Sequence, residues 1–190
     1  MKISTILGSP KLKGNTALVL SKFEDLAGEN HQIERINLVD YDINGCLGCL
    51  KCQENRDEPA CIQKDQVSGL LDKLLASDAL IYATPLYCWS FSGQLKLFID
   101  RHFCLMKFNP APEMPSSLIK GKKTALLVSC GGPVENNADL IQSTFERIAD
   151  FTSTQVVGKY ILPLCMMTDS LENRAYQVAE KMFEDFFIKA

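Results

Sequence analysis

The chain has 190 residues, 46% hydrophobic and 23% charged, with a formal net charge of -3, which is enough apolar content for one packed domain spanning 1–190 and leaves no basic field for nucleic acid. No apolar run approaches a membrane span, and the first one breaks at Gly8, too early for a signal-peptide core, so a cytoplasmic protein with no membrane partner is expected. In that compartment the eight cysteines are expected to be reduced thiols, metal ligands or redox groups rather than stable disulfides.

The first predicted element is a strand near 2–8, followed by the small-residue loop Gly8-Ser9-Pro10-Lys11-Leu12-Lys13-Gly14-Asn15-Thr16 and a helix near 16–28. Strand, loop and helix N-terminus in that order build a phosphate cradle, because the first N–H groups of the helix have no acceptor within it. The loop lacks the Gly-Lys-Ser/Thr of a nucleoside-triphosphate site, since Gly14 is followed by Asn15 and Thr16, and it lacks the Gly-x-Gly-x-x-Gly of a dinucleotide site. A single terminal phosphate held by hydroxyls and amides suits it better. Ser9 and Thr16 read equally well as ordinary turn and cap residues.

A strand near 33–38 leads into an irregular stretch, 39–63, that carries Cys46-x2-Cys49-x2-Cys52-x8-Cys61. Four thiolates at that spacing suit a [4Fe–4S] cluster or a zinc ion, and the competing reading is a loop packed by reduced or redox-active thiols. After a helix near 65–77 comes a continuously apolar strand near 79–84, as expected where helices cover both faces of a parallel sheet. It ends in Thr84-Pro85-Leu86-Tyr87-Cys88-Trp89-Ser90-Phe91-Ser92, an aromatic loop able to flank a flat ring.

A helix near 92–104 contains Asp100-Arg101, read as a structural contact, and His102, which, like His31, is read as a neutral packed or exposed histidine. Cys104 and Cys165 read as ordinary buried small residues. Beyond a second irregular stretch, 105–121, the strand near 123–130 ends in Ser129-Cys130-Gly131-Gly132-Pro133, where paired glycines let the backbone approach a ligand. A helix near 138–152, a strand near 155–162 and a helix near 170–188 complete a βα-repeating, three-layer α/β chain. Its ligand is expected beyond the carboxyl ends of the strands.

The three strand-end loops, with Gln94-Leu95-Lys96-Leu97-Phe98-Ile99-Asp100-Arg101 and the Cys46 to Cys61 segment running into Ile62-Gln63-Lys64-Asp65, resemble the flavodoxin-like NAD(P)H-dependent FMN reductase family. The resemblance implies a doubly wound five-stranded parallel sheet, FMN as cofactor and NAD(P)H as co-substrate. It places Ser9, Lys11, Gly14, Asn15 and Thr16 at the FMN phosphate, Pro85, Leu86, Tyr87, Cys88 and Trp89 beside the isoalloxazine, and Cys130, Gly131 and Gly132 at its pyrimidine edge. The implied chemistry is centred on the flavin, with no catalytic side chain: nicotinamide passes hydride to FMN, which then reduces a small acceptor such as a quinone, free flavin, nitro compound or metal ion. A homodimer or homotetramer is also implied. The iron–sulfur flavoproteins of the same family imply the alternative of an electron carrier with a cluster on Cys46, Cys49, Cys52 and Cys61 and a ferredoxin-like partner. A phospho-receiver on the same fold would need an acidic strand-end cluster, and the first strand ends in Leu7-Gly8-Ser9.

Overall fold

The computed structural model describes residues 1–108, 115–167 and 169–188. Among the described residues the strands and α-helices follow in the order β1 (Lys2–Leu7), α1 (Asn15–Gly28), β2 (Gln32–Asn37), α2 (Val67–Leu75), β3 (Ala79–Pro85), α3 (Gly93–Asp100), the two-residue strands β4 (Met106–Lys107) and β5 (Ser116–Ser117), β6 (Lys123–Ser129), α4 (Asp139–Thr152), β7 (Gln155–Leu162) and α5 (Leu171–Phe187). Five strands pair in the order β2-β1-β3-β6-β7, all parallel, so the expected doubly wound sheet is present. The loops after β1 and β3 diverge where the strand order reverses, which opens a crevice at the carboxyl ends.

Side-chain alternation along the central strands divides the core. Ile6, Leu80, Tyr82, Leu126 and Val128 face α2, α3 and α4, where Leu70, Leu74, Phe98 and Phe145 meet them. Ile3, Leu7, Ile81 and Leu127 face α1 and α5, against Leu20, Phe23 and Phe186. Several positions on that second face are alanines, namely Ala79, Ala83 and Ala125, which lets both helices approach the sheet closely. Among the described residues no helix is long and apolar enough to cross a membrane.

Two expectations shift. The helix read over 92–104 ends at Asp100, because the Arg101 N–H turns to the Phe98 carbonyl three residues back, and 101–105 continue as a tighter 3-10 turn. The stretch read as irregular over 105–121 contains the β4–β5 antiparallel pair, with Met106 opposite Ser117. Two-residue strands have no periodicity to read. The middle of that stretch, 109–114, lies outside the described residues.

Candidate functional site

The loops after β1, β3, β6 and β7 enclose a cleft of about 210 Å³ lined by Ser9, Lys11, Gly14, Asn15, Thr16, Pro85, Leu86, Tyr87, Ser129, Cys130, Gly131, Cys165 and Met166. Its floor is the N-terminus of α1. Gly14 is the N-cap and makes no side-chain cap, and the first intrahelical bond runs from the Leu18 N–H to the Gly14 carbonyl at 2.9 Å. The N–H groups of Asn15, Thr16 and Ala17 therefore have no acceptor in the preceding turn, and the positive end of the helix dipole lies at the cleft.

The polar side chains here are already ordered. Ser9 Oγ accepts from the Lys11 N–H at 3.1 Å, closing a small turn, so the turn reading of Ser9 and its place in the cleft hold together. Thr16 is buried, and its hydroxyl meets that of Ser129 at 2.6 Å. One of these hydroxyls donates to the other, which leaves one O–H of the pair for an anion. Asn15 Nδ2 donates to the Cys165 carbonyl at 3.3 Å, tying the loop after β1 to the loop after β7. Backbone N–H donors, a hydroxyl pair, an amide and Lys11 are the donor set a phosphomonoester requires, so these residues fit FMN.

The wall after β3 is anchored on Ser92, the N-cap of α3, whose hydroxyl accepts from the Leu95 N–H and donates to the Gly8 carbonyl at 2.5 Å. The Ser92 N–H in turn donates to Thr84 Oγ1 at 3.0 Å. Between these anchors Tyr87 and Ser90 exchange backbone hydrogen bonds of 3.1 and 3.0 Å around a two-residue turn. Both central residues, Cys88 and Trp89, have left-handed φ, +47° and +59°. Trp89 is 59% exposed at the tip. Cys88 and Trp89 thus stand outside the cleft lining, on its rim, because the turn lifts them clear; Gly132, too, is outside the lining and packs against Asn137 instead.

The opposite wall is stitched together by backbone bonds, Cys130 N–H to the Leu162 carbonyl at 3.0 Å and Cys165 N–H to the Cys130 carbonyl at 2.9 Å. The Cys130 amide is therefore committed to the protein. Burial raises the pKa of both thiols, Cys130 and Cys165, favouring neutral S–H groups beside the ligand space. Cys165 and Met166 are site residues that the sequence reading passed over. Their signal was positional, since the fifth strand must end on the same edge of a parallel sheet as the others.

The cysteine motif lies apart from this cleft. Cys46 and Cys49 are exposed, while Cys52 is buried and Cys61 half-buried. Cys104 adjoins both Cys52 and Cys61. Cys46 and Cys49 stand exposed, apart from these buried thiols, and among the described residues no group of three or more His, Cys, Asp or Glu side chains is disposed to hold a metal ion. The four motif cysteines are thus not gathered as a cluster site, and Cys104, read as an ordinary buried residue, is the hub of the thiols that are.

Arg101 lies beside this hub, forming a buried pair with Asp65 at 2.6 Å in which both side chains are 1% exposed. It also donates to the Asn44 carbonyl at 2.8 Å and to Cys61 Sγ at 3.2 Å. Burial alone would raise the Asp65 pKa, but hydrogen bonds from Arg101 and from the Asn44 and Val67 amides hold it below the usual carboxylate value. The contact reading of Arg101 is realised here, whereas Asp100 pairs with Lys96 on the surface.

Residues 1–166 match the family model described as NADPH-dependent FMN reductase. An iron-sulfur flavoprotein of Methanocaldococcus jannaschii is 37% identical over 102 residues, covering 53% of this chain and 51% of its own length. The chain thus spans about half the length of several relatives it matches. YwqN of Bacillus subtilis, named for an inferred NAD(P)H-dependent FMN-containing oxidoreductase activity, is 30% identical over 164 residues, covering 85% of this chain and 84% of its own. Among solved structures, an NAD(P)H:quinone oxidoreductase from Methanothermobacter marburgensis superposes with a TM-score of 0.73 at 18% identity, over 96% of this chain and 98% of that one. That likeness is one of fold.

Proposed function

Because the chain belongs to the NADPH-dependent FMN reductase family, we propose that it is an FMN-dependent NAD(P)H oxidoreductase acting on a small electron acceptor, the class that includes quinones, free flavins, nitro compounds and metal ions. The observation that carries this reading is the α1 N-terminus, open to a cleft whose remaining walls are the loops after β3, β6 and β7.

When bound, FMN would supply the two-electron chemistry, taking hydride from nicotinamide and returning it to the acceptor. The protein's own contributions are positional. Lys11, the Asn15 and Thr16 amides and the Thr16–Ser129 hydroxyl pair hold the phosphate. Pro85, Leu86 and Tyr87 supply the apolar wall for a planar ring, and Gly131, which has no Cβ, admits its opposite edge. A Cβ at Gly131 would lie 3.4 Å from Met166 Cγ and narrow that opening. The cleft is open on the side of Tyr87, 47% exposed, and Met166, 84% exposed, which leaves room for nicotinamide and acceptor to occupy the same space in turn. This reading also expects a homodimer or homotetramer, which sedimentation will count.

Replacing Thr16 and Ser129 together by Ala removes the hydroxyl pair and is expected to weaken FMN binding by about 1.5–3 kcal/mol for the charge-assisted bond lost. Unchanged affinity in a folded double variant refutes the phosphate assignment. Steady-state oxidation of NADPH and NADH with a quinone acceptor tests the activity.

The second reading, a carrier with an iron–sulfur cluster on Cys46, Cys49, Cys52 and Cys61, draws on the names of several relatives. The exposure of Cys46 and Cys49 weighs against it. Iron and sulfide analysis of anaerobically purified protein separates the two: near-stoichiometric iron promotes the carrier, and flavin without iron retains the reductase.

A further inference from the structure

A second cavity of about 480 Å³ lies between the cysteine loop and α2, away from the cofactor cleft. Cys61 lines it, together with Glu58, Pro59, Ala60 and Asp72. Ala60 has φ +46°, a left-handed conformation that a non-glycine residue adopts at a cost, and it aims the chain just before Cys61. Behind Cys61, away from solvent, lies Cys104, 2% exposed and adjoining the Cys61 sulfur.

We propose that Cys61 is a peroxide-oxidation site whose sulfenic acid is resolved by Cys104, closing an intrachain disulfide at the base of this cavity. The proposal stands on three features. A thiol at a cavity wall is reachable by a small oxidant, and a second thiol adjoins it from the buried side, the arrangement of a reacting and a resolving cysteine. Arg101 donates a guanidinium N–H to Cys61 Sγ at 3.2 Å, whereas the buried Cys52 sulfur accepts from the neutral Gln53 amide at 3.4 Å and the exposed Cys46 sulfur from the Gly48 N–H at 3.5 Å. Glu58 and Asp72 on the cavity wall disfavour an anionic oxidant and leave neutral hydroperoxides as the fitting class.

In the first step the Cys61 sulfur attacks the terminal oxygen of the hydroperoxide. The S–O bond forms as the O–O bond breaks, and the alcohol, or water from hydrogen peroxide, leaves with the thiol proton. In the second step the Cys104 sulfur attacks the Cys61 sulfur; the S–S bond forms, the S–O bond breaks, and hydroxide departs as water with the Cys104 proton. Two thiols are oxidised by two electrons and one peroxide is reduced. None of this passes through the flavin site, so it stands whatever acceptor the enzyme uses.

The test treats purified holoprotein with less than one equivalent of hydrogen peroxide, alkylates the remaining thiols and maps the peptides by mass spectrometry. The expected map links the Cys61 and Cys104 peptides with loss of two hydrogens, reversed by a reductant, while Cys46, Cys49 and Cys88 remain alkylated. In Cys104→Ser, Cys61 is expected to be trapped by dimedone as the sulfenic acid, and Cys61→Ser abolishes both products. A map in which Cys61 is alkylated while the exposed cysteines are oxidised, or in which Cys104 is joined to Cys52, overturns the proposal. The wild-type map decides the matter if either variant fails to fold.

Discussion

Gly8 is where two walls of the cleft touch. A Cβ there would lie 2.6 Å from Leu95 Cβ and 2.9 Å from Ser92 Oγ, and its carbonyl already accepts the Ser92 hydroxyl. Leu95 Cβ is attached rigidly to the α3 backbone, so the clash is relieved only by moving α3 and with it the cap that fixes the 84–92 loop. Gly8→Ala is therefore expected to cost about 1–3 kcal/mol of stability and to weaken FMN binding through the displaced wall. Chemical denaturation and an FMN titration on the same preparation check it, and full stability with unchanged affinity refutes the coupling. The sequence showed a glycine at the end of a strand, but not which helix would press against it, because that contact spans 84 residues of separation between Gly8 and Ser92. Arg101 is the contrasting case. Its structural role could be read from its place beside Asp100, yet its partner is Asp65, 36 residues away in the chain, since a pair with both side chains 1% exposed is specified by the meeting of the segment before α2 with the 3-10 turn after α3 rather than by neighbours in the chain.

At the scale of elements, the five long parallel strands were legible within about one residue; the central β3 and β6 read as continuous apolar stretches because helices cover both their faces, whereas the edge strands β2 and β7 interleave polar residues with Ile, Val and Leu. The 87–90 turn was legible only as a loop. A two-residue turn with left-handed φ at both central positions normally takes Asn-Gly, and here it carries Cys88 and Trp89, so local preference and observed backbone conflict. Such strain persists where the side chains serve a site, and Trp89 stands exposed at the rim of the cleft. The double substitution Cys88→Asn, Trp89→Gly is expected to stabilise the FMN-free protein by about 1 kcal/mol while lowering turnover of a planar acceptor. Thermal unfolding of the flavin-free form and quinone-dependent NADPH oxidation measure the two effects. A loss of stability in the variant means that Trp89 packs productively where it stands.

Across the whole molecule, the position of the cleft followed from topology, since any ligand of this sheet must sit beyond the carboxyl ends near the strand-order reversal. The division of the thiols did not follow, because Cys104 reaches Cys52 and Cys61 only once α3 and its 3-10 extension are docked. That same docking buries His102, for which the sequence left a packed or an exposed neutral histidine open and could name no partners. Its Nδ1–H donates to the Phe98 carbonyl at 2.9 Å, and its Nε2 accepts the Tyr82 hydroxyl at 2.9 Å, with the rings of Phe98 and Tyr82 against it. Burial lowers its pKa to about 4 from 6.5, although the Phe98 carbonyl and the charge of Asp100 partly oppose this. Protonation would place a second N–H on Nε2 facing the Tyr82 hydroxyl, which then loses its acceptor. Between pH 6.5 and 4 the unfolded chain binds a proton at His102 that the folded chain refuses, so stability falls as pH falls, by about 1.4 kcal/mol per unit and on the order of 3 kcal/mol over the window. Asp65, whose folded pKa lies below its ordinary value, adds its own loss only below that range, as pH approaches the carboxylate region. The two are separable: denaturation midpoints from pH 7.5 to 4.5 should decline in wild type and flatten in His102→Gln, and a parallel decline in both assigns the acid sensitivity to other groups.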